Sequence, residues 1–380
     1  MHYHDPLFGP RVFPDFIGEL AETPLMQRTL DISQDVLPAS VRPVKTPSRY
    51  VHGFGVCGNM LETVRVNPEL LRFVRLLLVG GLLHDTGNAA LSHLTEPFLQ
   101  QLFGKNGETF LEDMLARFKT GPLLQKIGVV PSELVRLVSG QLTPLSTILH
   151  GSMDVDNLDN VYRFWLAYNP GSIPYDPHLI ARAFRFTNHS WYLQASAEAE
   201  CRRWQDTREK VYGIVYGEPN LNVSLMVYRA VYLAFQKNEL TKDFFFCTDA
   251  EALAYLLQCN AGSACLVQSV LDGHVYSTVY QHQTTTPSQA FQDRCKEWDF
   301  RSTAANYLQS QLKIPAWAVT VYAGAGRDRR QIKLPFRQPD GTQTCDENHA
   351  QLIYRLKVFL APGYETRDNE VRILAQNLLH

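Results

Sequence analysis

The sequence predicts a mainly α protein with a small mixed α+β lobe toward its C-terminal end. Three observations carry that expectation. Apolar residues recur at helical spacing over much of the first 295 positions, proline and glycine signals separate these stretches, and strand-like alternation gathers after about Trp298. At 380 residues the chain can bury one large core, or a core with a smaller lobe. Hydrophobic residues at 45% against 19% charged mark an ordinary globular chain, neither disordered nor fibrous. There is no internal repeat, low-complexity tract or clear linker. We therefore divide the chain where the pattern changes, with residues 1–295 as the helical domain and 296–380 as the α+β lobe.

Taken in order, DPLFGPRVFPDF is rich in proline and glycine and reads as irregular or turn-like. Thr23 then caps a helix with Pro24 at its first position, running to about Val36. Pro38, Pro43 and Pro47 make a connector. After it, Ser48 caps a helix bearing Arg49 and His52, three apart and so on one face. From Asn67 to about His84 the apolar residues are too dense for a surface helix, which predicts one buried on most sides and ended by Gly87. Shorter helical patterns cover Leu91–Phe103, Glu108–Phe118 and Pro131–Val138, and Asp154 caps a further helix through Arg163. AFRFTNHSWYLQ alternates around Asn188, His189 and Ser190 and predicts a hairpin. Helical patterns return at Ser196–Tyr216 and Asn222–Phe235. In the last lobe Trp317–Tyr322 and RQIKLPF are strand-like around GAGRDR, whereas the period of Ala350–Leu360 fits helix and strand alike.

Charge and cysteine usage exclude several classes. A formal net charge of -2 gives no electrostatic reason to expect nucleic-acid binding on a broad basic face. Seven cysteines without CxxC or CxxxC pairing fit a reducing cytoplasm better than a disulfide scaffold or a zinc knuckle. MHYHDPLFGP lacks a basic segment followed by an apolar run, so no secretory signal is expected. The most apolar run, Leu70–Leu83, holds Arg72 and Arg75 and is too short to span a bilayer, so a core helix is expected and a membrane location is not.

The chemistry concentrates on LLHDTGNAALSH, Leu82–His93, which sets His84 and Asp85 at the end of an apolar segment. A carboxylate beside an imidazole in such a place costs several kcal/mol unless it is paired or binds a cation. Four residues offer the donors a hard or borderline divalent cation takes: His52, His84, Asp85 and Asp156. His84 and Asp85 diverge by about 100° on a helix, but both reach one ion if they lie at a helix end, where Gly87 places them. Each residue also has an ordinary reading. A histidine like His52 is commonly a hydrogen-bonded core or surface residue, and the helix dipole favours any carboxylate in a first turn, as at Asp156. Asp159 and Arg163, four apart, are most simply a surface salt bridge.

The order His, His-Asp, Asp resembles that of the HD-domain metal-dependent phosphohydrolases. DPLFG at Asp5–Gly9 and TPLMQRTLDISQ at Thr23–Gln34 resemble the opening of their deoxynucleoside triphosphate triphosphohydrolase branch, of the bacterial dGTPase type and the animal type with a sterile-alpha-motif domain. SRYVHGFGV at Ser48–Val56 resembles the segment with the first metal histidine, and DVDNLDNVYR at Asp154–Arg163 the last metal-aspartate motif. The likeness continues more faintly through most of the chain. It implies an HD-type helical bundle in which His52, His84, Asp85 and Asp156 hold one divalent ion, of Mn, Fe, Mg, Zn, Co or Ni. It sets Arg49 on substrate phosphate and Gln34 where the family reads the base. The departures are as specific. Asn88 stands where the family continues with histidine, and a second histidine followed by Glu is replaced around Gly107-Glu108. Asn157 and Asn160 stand at the lysine and tyrosine that contact phosphate, and Phe164 at the aspartate that contacts the sugar.

Losing such contacts costs about 1.5–3 kcal/mol per charge-assisted hydrogen bond, and losing a general acid about 10²–10⁴ in rate. Either the substrate is smaller than a dNTP or the groups come from elsewhere: Arg163, His150, or Arg327, Arg329 and Arg330, for which a solvated hairpin turn is the simpler account. The first expectation is a phosphohydrolase acting on a nucleotide or a related phosphate ester through a water activated by one metal ion. His93 would orient or deprotonate groups there, and Asn88 would hydrogen-bond water or substrate. The alternative is a nucleotide-binding regulatory protein that keeps the metal cage and has lost catalysis. A nucleic-acid binder on the same scaffold ranks third on charge. A homo-oligomer is expected by analogy alone.

Overall fold

The computed structural model describes residues 1–35, 44, 46–327, 329–347 and 350–380. It is a mainly α fold, as expected, with a few small sheets. The chain forms two compact units, one made of Met1–Asp35, Val44–Val211 and Arg330–Asn348, the other chiefly of Tyr212–Arg329 and His349–His380.

The first unit opens on an antiparallel hairpin, β1 (His2–Asp5) and β2 (Gly9–Val12). This corrects the irregular segment expected there. A two-stranded ribbon has only edge strands, which tolerate Pro10, and Gly9 supplies the positive φ of 72° at the turn. Helices α1 (Asp15–Ala21) and α2 (Pro24–Arg28) follow, with Thr23 Oγ1 accepting from Met26 N at 3.4 Å as the expected cap. The second helix is shorter than expected and closes in a 3-10 turn over Thr29–Asp31. Its expected end at Val36, and Pro38 and Pro43 of the connector, lie outside the described residues.

Helices α3 (Arg49–Arg65) and α4 (Val74–Leu83) pack on each other at the centre of this unit. Glycine permits the close approach: a Cβ on Gly53 would lie 2.6 Å from Leu82 O, and one on Gly81 3.2 Å from Cys57 Cα. The single helix expected over Asn67–His84 is instead a 3-10 segment, Pro68–Phe73, then α4, then a 3-10 turn over His84–Gly87. Apolar density is common to all three and marks no boundary among them. Helices α5 (Glu96–Phe103), α6 (Gly107–Arg117), α7 (Gly121–Lys126) and α8 (Pro131–Val138) follow, α6 packing on the His84–Gly87 turn and α8 on α4. Helices α9 (Val155–Tyr168) and α10 (Pro177–Ala183) pack on α3. The expected hairpin is present as β3 (Phe184–Thr187) and β4 (Ser190–Gln194), turning through positive φ at Asn188 and His189, and α11 (Glu198–Val215) follows.

The second unit contains α12 (Asn220–Gln236), α13 (Lys242–Phe246), α14 (Asp249–Leu257), α15 (Ala261–Leu271), β5 (Ser277–Thr284), α16 (Gln289–Arg294), α17 (Phe300–Leu312) and β6 (Val319–Arg327). The chain then returns to the first unit with β7 (Phe336–Arg337) and β8 (Gln343–Thr344), which extend its sheet in the order β3-β4-β7-β8. Of RQIKLPF, only Phe336 is in a strand. The ambiguous segment is a strand, β9 (Leu352–Leu360), central in the antiparallel order β5-β9-β6 with Tyr354, Leu356 and Val358 buried at period two; α18 (Asp368–Asn377) ends the unit. Among the described residues no helix is long and apolar enough to cross a membrane, and all seven cysteines are free.

Candidate metal centre

Three elements of the first unit bring the four expected donors together. His52 lies one turn into α3, His84 and Asp85 open the 3-10 turn after α4, and Asp156 stands in the first turn of α9 behind its cap Asp154, which accepts from Asn157 N at 2.7 Å. The end of α4 resolves the divergence of neighbouring helical positions, because both His84 and Asp85 turn into one cluster. His52 Nε2 lies 3.0 Å from Asp156 Oδ1 and 3.6 Å from Asp85 Oδ2. His84 Nε2 lies 3.5 Å from Asp85 Oδ2 and 3.6 Å from Asp156 Oδ1.

The donor set fits a divalent cation on one specific observation. His84 Nδ1 is bonded to Gly81 O at 3.0 Å, which turns Nε2 into the cluster, and that buried nitrogen has no hydrogen-bond partner among the described residues. One ligand atom each from His52, His84 and Asp85 fall within 4.8 Å of one another, the spacing of a shared ion. Without an ion the neighbouring carboxylates favour the charged form of both imidazoles. Burial alone pulls His52 down, but its bonds to Asp156 and Asp159 raise it to about 9. Burial likewise opposes a charged His84, while Asp85 and Asp156 raise it. Burial pushes Asp85 up, yet Arg49, His84 and His52 hold it down at about 2. Asp156 is 29% exposed against 1% for His52, so the site opens to solvent on its carboxylate side.

The other expected residues fall in two groups. Arg49 touches the cluster: its Nη1 donates to Asp85 Oδ2 and its Nε to Ser92 Oγ at 3.0 Å. Ser92 is held for this in left-handed backbone, φ 52°, following Leu91 at 60°. Asn88 also touches it, Nδ2 donating to Asp85 Oδ1 at 2.7 Å. His93 stands apart, 68% exposed and paired through Nδ1 with Glu96 at 3.3 Å. Gln34 Nε2 donates to Asn160 Oδ1 at 3.0 Å, and Asn157 faces back onto Asp154 through Nδ2 at 2.9 Å.

Two expectations need correction. Asp159 and Arg163 are no surface pair: both side chains are 0% exposed, and Asp159 Oδ2 accepts from Arg163 Nε at 2.6 Å and pairs with His52 Nδ1 at 2.8 Å. Helix α9 presents that face to α3, where Gly55 leaves the room; a Cβ there would lie 1.9 Å from Asp159 Oδ1. Asp5, whose Oδ2 accepts from Arg163 Nη2 at 2.6 Å, has no local signal of this role in the sequence. Arg330 is not simply solvated either, since its Nη2 donates to Gly151 O at 2.6 Å and its Nη1 to Asn157 Oδ1 at 3.3 Å. His150 is paired with Val138 O.

A phosphohydrolase from Bacteroides thetaiotaomicron has a similar structure, at TM-score 0.67 and 16% identity over 95% of this chain and 99% of that one. A hypothetical protein from Aquifex aeolicus is also similar, at TM-score 0.75 and 16% identity over 97% of this chain and 99% of its own. At such identity the likeness is one of fold. In sequence, 111 residues are 32% identical to the deoxynucleoside triphosphate triphosphohydrolase SAMHD1 homolog of Dictyostelium discoideum. The match covers 27% of this chain and 21% of that relative's length. No family model matches the sequence.

Proposed function

We propose that this chain is a metal-dependent phosphohydrolase of the HD type acting on a nucleotide, of the dNTP class or a related phosphate ester. The observation that carries the reading is the convergence of His52, His84, Asp85 and Asp156, with His84 Nε2 buried, facing two carboxylates and without a hydrogen bond among the described residues. These four residues would hold one divalent ion. When bound, such an ion polarises a phosphoryl oxygen and makes water a nucleophile near neutral pH. Arg49, beside Asp85, offers a guanidinium fork to phosphate oxygens. Asn88 fixes Asp85 and cannot relay a proton; His93, paired with Glu96 outside the cluster, would act only on a substrate that extends to it. Gln34 and Asn160, already bonded to each other, offer amides to a nucleoside. The similarity of a segment to a dNTP triphosphohydrolase supports the nucleotide class. The proposal includes a cytoplasmic setting, on the free cysteines, and assembly with further copies, on analogy alone.

The test is incubation with Mn²⁺, Mg²⁺, Co²⁺ or Fe²⁺ and a panel of dNTPs, NTPs, monophosphates and cyclic nucleotides, with products separated by chromatography. Hydrolysis of at least one nucleotide, abolished by Asp156→Ala, is expected. The regulatory reading has its own observation: the first turn of α9 offers Asn157 in place of a cation, and that amide is already bonded to Asp154 and Arg330. A nucleotide that raises the melting temperature while nothing in the panel is hydrolysed would favour that regulatory protein.

A further inference from the structure

Three buried charges behind the cluster have no part in the function proposed above. They form an unbroken series. Asp159 Oδ2 meets His52 Nδ1 at 2.8 Å and accepts from Arg163 Nε at 2.6 Å, and Arg163 Nη2 donates to Asp5 Oδ2 at 2.6 Å. Asp5 Oδ1 in turn accepts from Leu7 N at 2.9 Å and Phe8 N at 3.2 Å, which ties the series to the turn of the β1-β2 hairpin. The ring of Phe8 lies 5.4 Å from the Arg163 guanidinium.

Stability alone accounts poorly for this arrangement. Three charged side chains at 0% exposure lose most of what their attraction returns to desolvation, and well-packed apolar residues of similar volume are often no worse. What apolar residues cannot do is hold an imidazole. A ring on a single Cβ–Cγ bond has two faces and two tautomers. A carboxylate on Nδ1 selects the orientation and tautomer that leave the Nε2 lone pair free to ligate a metal. Helix α9 does both jobs for His52: Asp156 meets Nε2 at 3.0 Å, and Asp159, three residues on and on the same face, meets Nδ1. Asp159 is itself fixed by Arg163, and Arg163 by Asp5.

We propose that Asp159, Arg163 and Asp5 are positioning residues that hold His52 with Nε2 turned to the metal site, so that the N-terminal hairpin is part of what retains the ion. The inference rests on the reading of the His52, His84, Asp85 and Asp156 cluster as a metal centre. It extends that centre from four side chains on three elements to seven on four.

The test compares the full chain with Asp159→Asn, Asp5→Asn and Val64→Ala, using Co²⁺ alone as the probe. Affinity is measured by competition with a chelator, and metal-free stability by thermal melting. Asp5→Asn keeps an amide oxygen for Leu7 N and Phe8 N, so it remains informative if Asp159→Asn fails to fold. Val64, buried on α3, is the control for destabilisation away from the series. Asp159→Asn is expected to weaken Co²⁺ binding by about 10–100-fold, and Asp5→Asn by roughly 10-fold, the low end of effects for groups that hold a ligand. Val64→Ala should lower the melting temperature and leave Co²⁺ affinity where it was. Unchanged affinity in the two aspartate variants would overturn the proposal while leaving the metal centre intact. So would affinity losses that merely track melting temperature across all three. A wild-type chain that binds no Co²⁺ would overturn the metal reading and this inference together.

Discussion

Arg163 in the first unit and Arg229 in the second are buried to 1% and 2% exposure, yet they are satisfied by opposite means. Arg163 lies between two carboxylates, Asp159 and Asp5, one of which continues to His52. Arg229 has neutral partners: Ala316 O and Ser302 O at 3.2 Å each, and Asn306 Oδ1 at 2.7 Å, with the Tyr232 ring 5.5 Å away. Burial disfavours both cations. Asp159 and Asp5 more than reverse this for Arg163, whose pKa is raised, whereas burial brings Arg229 down to about 10. The contrast teaches that a buried charge is not by itself the mark of a site. Arg229 ties α12 to carbonyls of α17 and of the segment after it, a structural task. Arg163 ends on a side chain whose other nitrogen faces a cluster of metal-type donors.

The largest effect should come from breaking the charged series. Arg163→Met leaves Asp159 with only His52 and Asp5 with only backbone N–H groups of its turn, and the loss of one partner from such a buried charged set costs about 3–5 kcal/mol. Urea denaturation should show that loss, and Co²⁺ affinity should fall with it. Arg229→Met leaves carbonyls and an amide without a donor, a cost of about 1–3 kcal/mol. Its Co²⁺ affinity should match wild type. Release of the metal by Arg229→Met, or retention by a folded Arg163→Met, would erase the distinction.

Solution pH sharpens the same contrast. In the metal-free protein His52 is raised from 6.5 to about 9, with Asp156 and Asp159 overcoming its burial. An imidazolium favoured in the folded state stabilises the metal-free fold fully below 6.5, and that contribution is lost as pH rises through about 9. Metal binding runs the other way, because a ligating imidazole must give up its proton. Co²⁺ affinity should therefore climb by about tenfold per pH unit for that one proton and flatten once His52 is neutral. A flat profile between about pH 6 and 9 would mean that His52 gives up no proton to the metal.

Much of the helical skeleton was legible, and for local reasons. Thr23 and Asp154 cap helices as expected because capping depends on a few neighbouring residues. The four donors were legible by their chemical types and their order along the chain, and the structure brings them together. The burial of Asp159 and Arg163 was not. A carboxylate and a guanidinium four apart look alike on a wet face and a dry one, and what decides is Gly55, over a hundred residues earlier, which makes room against α3. Strand β9 was equally undecidable from its own residues. Its apolar period fits two structures, and pairing with β5 and β6 selects one. The β1-β2 hairpin was missed because proline and glycine signal a break without saying that the flanking residues pair.

Gly107 offers the smallest and most selective change. A Cβ there would lie 2.6 Å from Asn88 Oδ1, so the amide would have to move aside. Asn88 Nδ2 donates to Asp85 Oδ1 at 2.7 Å, so Gly107→Ala should displace that bond and loosen Asp85. A hydrogen bond to a charged group contributes about 1.5–3 kcal/mol, and displacing this one without removing Asp85 should lower Co²⁺ affinity by up to roughly tenfold. Metal-free stability should hardly move, since alanine in the first turn of α6 restricts the unfolded chain more than glycine does. That outcome would be the inverse of Arg229→Met: affinity without stability, against stability without affinity. If Co²⁺ affinity stays unchanged in Gly107→Ala, Asn88 does not orient Asp85 in the metal-bound protein, and the positioning contacts are confined to the His52 side of the centre.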